Sequence, residues 1–197
     1  LASVLLRTVH ERRRYRELSE HDGLTGLYNH QSTLRFGSRL LAHCQRRRQP
    51  VTAIVADIDY FKQINDRHGH AVGDEVLRSL GLWLREVFPA QAVVGRTGGE
   101  EFTMLVEGSV AQARYLVDDL RRRILPVSAL GERIDYTLSY GLCESTDAQA
   151  PLEDILRKAD MALYQAKRGG RNRVVESGSL EAPEPSGSGL VVVGSGI

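Results

Sequence analysis

Apolar residues recur along this chain with two periods, one helical and one strand-like, and the way these alternate predicts a layered α/β domain. Leu34, Leu40, Leu41 and Cys44 fall on one side of a helix, and Pro50 closes the connection after the basic run Arg46-Arg47-Arg48. Val51-Thr52-Ala53-Ile54-Val55-Ala56 is apolar on both faces and reads as a fully buried strand ending at Asp57. Val76, Leu80, Trp83, Leu84 and Val87 return at helical spacing and predict a second amphipathic helix. A hairpin follows, with arms Ala92-Val93-Val94 and Phe102-Thr103-Met104-Leu105-Val106 and the paired glycines Gly98-Gly99 expected to supply the positive φ of its turn. Ala113, Leu116, Val117, Leu120 and Ile124 form another helical stripe, whereas Ile134, Tyr136, Leu138, Tyr140 and Leu142 alternate strictly, predicting a strand with one covered face. Leu152, Ile155, Leu156, Ala159, Leu163 and Ala166 mark the last helix, and Asn172-Arg173-Val174-Val175 suits a sheet edge. The order helix, strand, helix, hairpin, helix, strand, helix implies a mixed central sheet flanked by helices.

The ends read differently. Residues 1–20 place Val4, Leu5, Val9 and Leu18 among Arg12, Arg13 and Arg14, a partial repeat that predicts a connecting helix with too few heptads for a coiled coil. Residues 177–197 alternate Gly, Ser and Pro around Leu190-Val191-Val192-Val193 and read as a flexible tail. Residues 21–176 remain as one domain, long enough to bury a real core. Of the 197 residues 42% are hydrophobic, and 26 Lys+Arg against 25 Asp+Glu leave a net charge of +1, which favours neither a disordered chain nor a globally basic nucleic-acid binder. The arginine runs have no interleaved aromatics, so solvated helix faces explain them better than nucleic acid does. No apolar run approaches the roughly 18–20 residues of a membrane span, and no signal segment opens the chain. Cys44 and Cys143 cannot build a disulfide framework, so a reducing, cytoplasmic setting is expected. The first residue is Leu, as expected for a piece of a longer protein.

Candidate chemistry gathers at two places. Asp57-Ile58-Asp59 stands where a buried strand leaves the sheet, and carboxylates there are costly unless a cation or hydrogen-bond donors satisfy them. Glu100 and Glu101 follow the glycines of the hairpin turn. If strand and hairpin are neighbours, Asp57 and a turn glutamate converge into an all-oxygen site suited to Mg²⁺ and phosphate chemistry; otherwise these acids only solvate two loops. Tyr60-Phe61-Lys62 can open a short helix whose free amides attract phosphate, with Lys62 adding charge. Asn65 and Asp74 have the functions that read a base edge, a carboxylate accepting from N1 and N2 of guanine, and Gly69 and Gly73 are expected to loosen the backbone between them. His70 is either a contact or a structural loop residue.

Four blocks in order then form a pattern: Asp22-Gly23-Leu24-Thr25-Gly26-Leu27-Tyr28-Asn29; Asp57-Ile58-Asp59-Tyr60-Phe61-Lys62-Gln63-Ile64-Asn65-Asp66 with Gly69-His70 and Gly73-Asp74; Gly98-Gly99-Glu100-Glu101-Phe102; and Ala162-Leu163-Tyr164-Gln165-Ala166-Lys167 with Gly170-Arg171-Asn172. Over about residues 20 to 175 the chain resembles the GGDEF family of diguanylate cyclases, in the GGEEF variant of the signature. The resemblance implies a nucleotidyl-cyclase or polymerase-palm-like fold and the joining of two GTP into cyclic di-GMP with release of two pyrophosphates. It implies two Mg²⁺ ions, with Mn²⁺ as a substitute, held by Asp57, the carbonyl of Ile58 and Glu100. Glu100, or its neighbour Glu101, would take the proton of the attacking 3′-hydroxyl. By the same resemblance Asn65 and Asp74 read guanine beside His70, with Leu24 and Leu77 packing on the base. Phe61 and Lys62 lie by the phosphates, and Lys167 and Arg171 neutralise them. Each domain would bind one GTP, so a homodimer is implied, with the leading helix coupling it to an upstream sensory or receiver module. The setting implied is cytoplasmic, within a larger bacterial protein, membrane-anchored or not.

One family feature is missing. The Arg-x-x-Asp inhibitory site of many members would end six positions before Gly98, where this chain has Pro89-Ala90-Gln91-Ala92; Arg157-Lys158-Ala159-Asp160 fits the letters at the wrong place. A non-catalytic GTP- or cyclic di-GMP-binding regulatory domain is the competing reading, but such members usually keep the inhibitory site and lose the signature. A cyclase making adenine-containing products would be expected to lose the carboxylate that Asp74 retains.

Overall fold

The unbroken burial of the first strand follows from its place in the sheet. In the computed structural model, which describes residues 20–129, 131–145 and 149–179, β1 (Val51–Ile58) is buried along its whole length. It lies between β3 (Glu101–Glu107) and β6 (Leu138–Ser145), antiparallel to both. β2 (Val93–Arg96) and β7 (Val174–Glu176) complete the order β2-β3-β1-β6-β7, with β7 parallel to β6. Side chains alternate between two cores. Ile54, Ala56, Phe102, Met104, Tyr140 and Leu142 face α3 (His70–Val87) and α4 (Val110–Arg123). Ala53, Val55, Leu105 and Cys143 face α1 (His30–Arg47) and α5 (Leu152–Arg168). The mixed sheet with helices on both faces is the architecture that the periodicity predicts.

Local chemistry sets the helix ends. The Asn29 side chain accepts from the Ser32 amide to start α1, and a Ser109–Gln112 capping box starts α4. Glu153 and Asp154 occupy the first turn of α5 and Lys167 and Arg168 its last, matching the helix dipole. β6 meets α5 so closely at Gly141 that a Cβ there would overlap the Ala159 carbonyl and the Leu163 amide.

Four expectations need correction. The alternating run 134–142 is not one strand: Ile134 ends β5 (Glu132–Ile134), which pairs with β4 (Val127–Ala129) in a separate two-stranded sheet, and β6 begins at Leu138. β6 is covered on both faces, because α4 and α5 flank it. Neither Gly98 nor Gly99 takes a positive φ; the amides of Thr97 and Gly98 both donate to the Glu101 carbonyl, closing the turn without left-handed residues. Gly69 does bend the chain, at φ 86 between α2 (Phe61–His68) and α3, but Gly73 is an ordinary helical residue that loosens nothing. The connecting helix expected before residue 20 and the tail beyond residue 179 lie outside the described residues; Ser177–Ser179 form a short 3₁₀ turn. Among the described residues no helix is long and apolar enough to cross a membrane.

Candidate active site

Adjacency of β1 and β3 brings the acids together. Asp57 is paired with Glu101 across the ladder, and the Ile58 amide donates to the Glu100 carbonyl at 3.3 Å. Asp57 is 5% exposed, and Lys167 Nζ lies 2.8 Å from its Oδ2. Burial pushes the Asp57 carboxyl above the ordinary carboxylate range; Lys167 opposes the rise and the nearby charge of Asp59 adds to it. Burial likewise raises Glu100, and the charge of Asp57 raises it further. Two acids raised by burial, Glu100 also by the charge of Asp57, with an ammonium already drawn in, are a donor set that a divalent cation would relieve. Among the described residues no three His, Cys, Asp or Glu side chains form a metal cluster, so a site here would combine Asp57, Glu100 and a backbone carbonyl with ligands from outside the chain. Glu101 is exposed and lies over Gly98, where a Cβ would come within 2.6 Å of its Oε2.

Asp59 does not join this pair. Its carboxylate is 4% exposed, with Oδ1 accepting from Ser139 Oγ at 2.6 Å. Oδ2 accepts from Thr137 Oγ1 at 2.7 Å and from the Asn172 amide at 2.9 Å. Donors rather than a cation meet the cost of burying it.

Across the loop, α2 and α3 enclose the residues expected to read a base. Asn65 Oδ1 is buried without a hydrogen-bond partner, and it occupies space that a Cβ on Gly73 would take. An orphaned acceptor of this kind fits a donor supplied by a ligand. Asp74 is half-buried on the next residue of α3, Leu77 is buried, and Leu24 packs half-buried against the same core. His70 is exposed at the first position of α3. Phe61 is buried in the core beneath Gly73, while Lys62 is exposed on α2. Tyr60, in the left-handed region at φ 58, gives the start of α2 no side-chain cap.

The last helix contributes the cations. Lys167 pairs with Asp57, and Arg171 lies with its guanidinium 4.5 Å above the Tyr60 ring and 3.4 Å from its hydroxyl. Asp57, Glu100, Lys167 and Arg171 therefore share the end of the sheet where β1 leaves it. A groove of about 860 Å³ between α2 and residues 132–137 touches Asp59 and Tyr60 but not Asp57, Asn65 or Glu100; the acids and the orphaned acceptor, rather than this groove, locate the candidate chemistry.

Residues 19–173 match the family described as the diguanylate cyclase GGDEF domain. The chain belongs to this family. A diguanylate cyclase of Vibrio cholerae is 37% identical over 158 residues, 80% of this chain and 49% of that protein. The crystal structure of the coiled coil and GGDEF domain of DgcB from Caulobacter crescentus, in complex with c-di-GMP, superposes with a TM-score of 0.82 at 28% identity, over 89% of this chain and 94% of that one. The active GGEEF domain of a diguanylate cyclase from Vibrio cholerae gives a TM-score of 0.70 at 35% identity, over 76% and 96%. The chain spans less than half the length of the curated relatives it matches.

This GGDEF domain also holds its signature turn by a contact that sequence reasoning missed. Arg96 donates to the Gly99 carbonyl from Nε at 3.1 Å and from Nη2 at 2.7 Å, and its Nη1 reaches both oxygens of Asp22 at 3.3 Å. Asp22 also accepts from the amide and hydroxyl of Thr25. Burial would raise Asp22, but the Thr25 bonds and the Arg96 charge outweigh it and hold the carboxyl below its ordinary value. The Asp22-to-Asn29 block thus braces the hairpin turn, and only its position in the first quoted motif hinted at a role.

Proposed function

We propose that this domain condenses two GTP molecules into cyclic di-GMP and two pyrophosphates, each ribose 3′-oxygen bonding to the α-phosphorus of the other nucleotide as that nucleotide's pyrophosphate leaves. The observation that carries the reading is the convergence of Asp57 and Glu100 beside Lys167, next to the orphaned Asn65 acceptor. Asn65 and Asp74, walled by Leu24 and Leu77, would orient guanine; His70, exposed, is at most a rim contact. Lys167 and Arg171, with Lys62 and the free start of α2 above Phe61, would draw in the triphosphate. Glu100 has the raised proton affinity that suits a base for the 3′-hydroxyl, with Glu101 adjacent to share it. Asp57, the Ile58 carbonyl and Glu100 would hold Mg²⁺, or Mn²⁺ in its place, which when bound neutralises phosphate charge and favours pyrophosphate departure. One domain presents one such half-site, so two domains face each other in the reaction and specific activity rises with protein concentration. The c-di-GMP complex of DgcB supports the product assignment.

Incubation with GTP and Mg²⁺ followed by product identification tests the reading. The wild type is expected to form cyclic di-GMP and Glu100→Ala none; equal product from both removes Glu100 from its role, and no product at any protein concentration refutes the cyclase.

A further inference from the structure

Beyond the residues that would touch nucleotide, the geometry points to Asp59 as a positioning residue that holds Arg171 in its phosphate-facing conformation, an inference that rests on the proposed cyclase reading. Gly170, Arg171 and Asn172 have successive φ values of 108°, 61° and 45°. Two consecutive non-glycine residues in the left-handed region are costly and persist only where the surroundings fix them. Two groups do so. The buried Asp59 carboxylate accepts the Asn172 amide at 2.9 Å, and from α4 Arg121 Nη2 donates to the Asn172 carbonyl at 3.0 Å and its Oδ1 at 3.2 Å. Asp59 is itself fixed by the Thr137 and Ser139 hydroxyls, and its amide donates to the Thr137 carbonyl at 2.9 Å. Arg171, one residue before the held amide, then lies on Tyr60, one residue after Asp59. The segment carrying Asp57 and Ile58 and the turn carrying Arg171 are thereby joined through one carboxylate. The acid two positions after Asp57 sets the distance between the cation donors and the phosphate cation instead of binding an ion.

The test measures affinity for the α,β-methylene analogue of GTP with Mg²⁺, affinity for guanosine, and amide exchange over 169–173, in wild type, Asp59→Ala and Asp59→Asn. An Asn keeps an oxygen facing the Asn172 amide and the Thr137 hydroxyl, and the Ser139 hydroxyl can turn to accept from its NH₂. Expected is about a tenfold loss of analogue affinity in Asp59→Ala, with faster exchange at Asn172 and guanosine affinity unchanged, and near wild-type behaviour in Asp59→Asn. Wild-type affinity for the analogue in Asp59→Ala, or an equal loss for guanosine and analogue, overturns the assignment, as does an Asp59→Asn variant as impaired as Asp59→Ala. If Asp59→Ala does not fold, Arg121→Ala decides: selective weakening of the analogue with faster exchange at Asn172 supports the inference, and an unchanged protein refutes it. Failure of the wild type to bind analogue or guanosine instead refutes the cyclase reading itself.

Discussion

Replacing Gly73 by Ala separates stability from nucleotide binding in a single methyl group. The added Cβ would overlap Asn65 Oδ1 and come within 3.0 Å of Asn65 Cγ and 3.2 Å of Phe61 Cζ. Phe61 is fixed in the core, so the Asn65 amide has to rotate away. Gly73 is an ordinary helical residue, and Ala there stabilises a helix interior by roughly 0.5–1 kcal/mol. Releasing a buried acceptor without a partner removes a further cost of about 1–3 kcal/mol. Against these gains stand the close contact with Phe61 and the repacking of the amide. The net effect on folding is therefore near zero or favourable. Binding moves the other way: losing one or two hydrogen bonds to the base at about 1 kcal/mol each weakens GTP by roughly 5- to 30-fold. Thermal denaturation without nucleotide and calorimetric titration with GTP and Mg²⁺ measure the two sides. A melting temperature at or above wild type with weakened GTP binding is expected. Undiminished GTP affinity would show that Asn65 does not meet the base, and a large loss of melting temperature would show that the amide cannot leave.

Four further outcomes follow from the same geometry. Gly141→Ala would drive a Cβ into the backbone of α5, where no rotamer change relieves the overlap; a loss of about 3 kcal/mol, roughly 6–12 °C in melting temperature, is expected, and a shift under about 2 °C would contradict that packing. Asp57 and Glu100 have folded-state values above their ordinary 3.8 and 4.5, so in chelator the folded state holds protons that the unfolded chain releases, and their contribution falls as pH rises through that window. Mg²⁺ requires the ionised pair, so the melting-temperature gain on adding it should be larger near pH 8 than near pH 5; an equal gain at both refutes the cation site. Asp22 has the opposite sign: held below 3.8, it stabilises the fold above that pH and the benefit is lost as pH falls through its folded value, so wild type and Asp22→Asn should converge in stability as the pH is lowered below 3.8, and a gap constant with pH would exclude the Arg96 contact as its source. With Pro89-Ala90-Gln91-Ala92 in place of an Arg-x-x-Asp site, product inhibition should disappear together with active-site binding; tight cyclic di-GMP binding that survives Asn65→Ala and Asp74→Ala would show a separate product site.

The features that sequence made legible were those set by repetition or by strand adjacency. β1 reads as buried on both faces because it lies at the centre of the sheet, and once β3 is its neighbour the meeting of Asp57 with the hairpin acids is a consequence of register. The strand from Ile134 to Leu142 was misjudged because alternation reports which side is apolar and not whether the chain stays extended; residues 135–137 leave the small sheet before β6 begins. Gly98-Gly99 was misread for a related reason. A glycine serves a turn by adopting positive φ or simply by lacking a Cβ, and Gly98 does the second, leaving room for Glu101.

Asp59 shows why the site itself was only half legible. Two acids at i and i+2 share a face of an extended strand, so Asp57-Ile58-Asp59 invites a paired-carboxylate site. β1 ends at Ile58, however, and Tyr60 turns the chain through the left-handed region. The second acid is carried away from the first toward Thr137 and Ser139, about 80 residues on, and toward the amide of Asn172, 113 residues on. No local spacing encodes such partners. The same holds for Arg96 and Asp22, 74 residues apart. Side chains with a fixed task at the candidate site are legible from their order along the chain, whereas those that aim them depend on contacts that exist only after the sheet and α5 have packed. Substitutions at Asp59 and Arg96 should accordingly act on affinity and geometry without removing any group that meets the nucleotide.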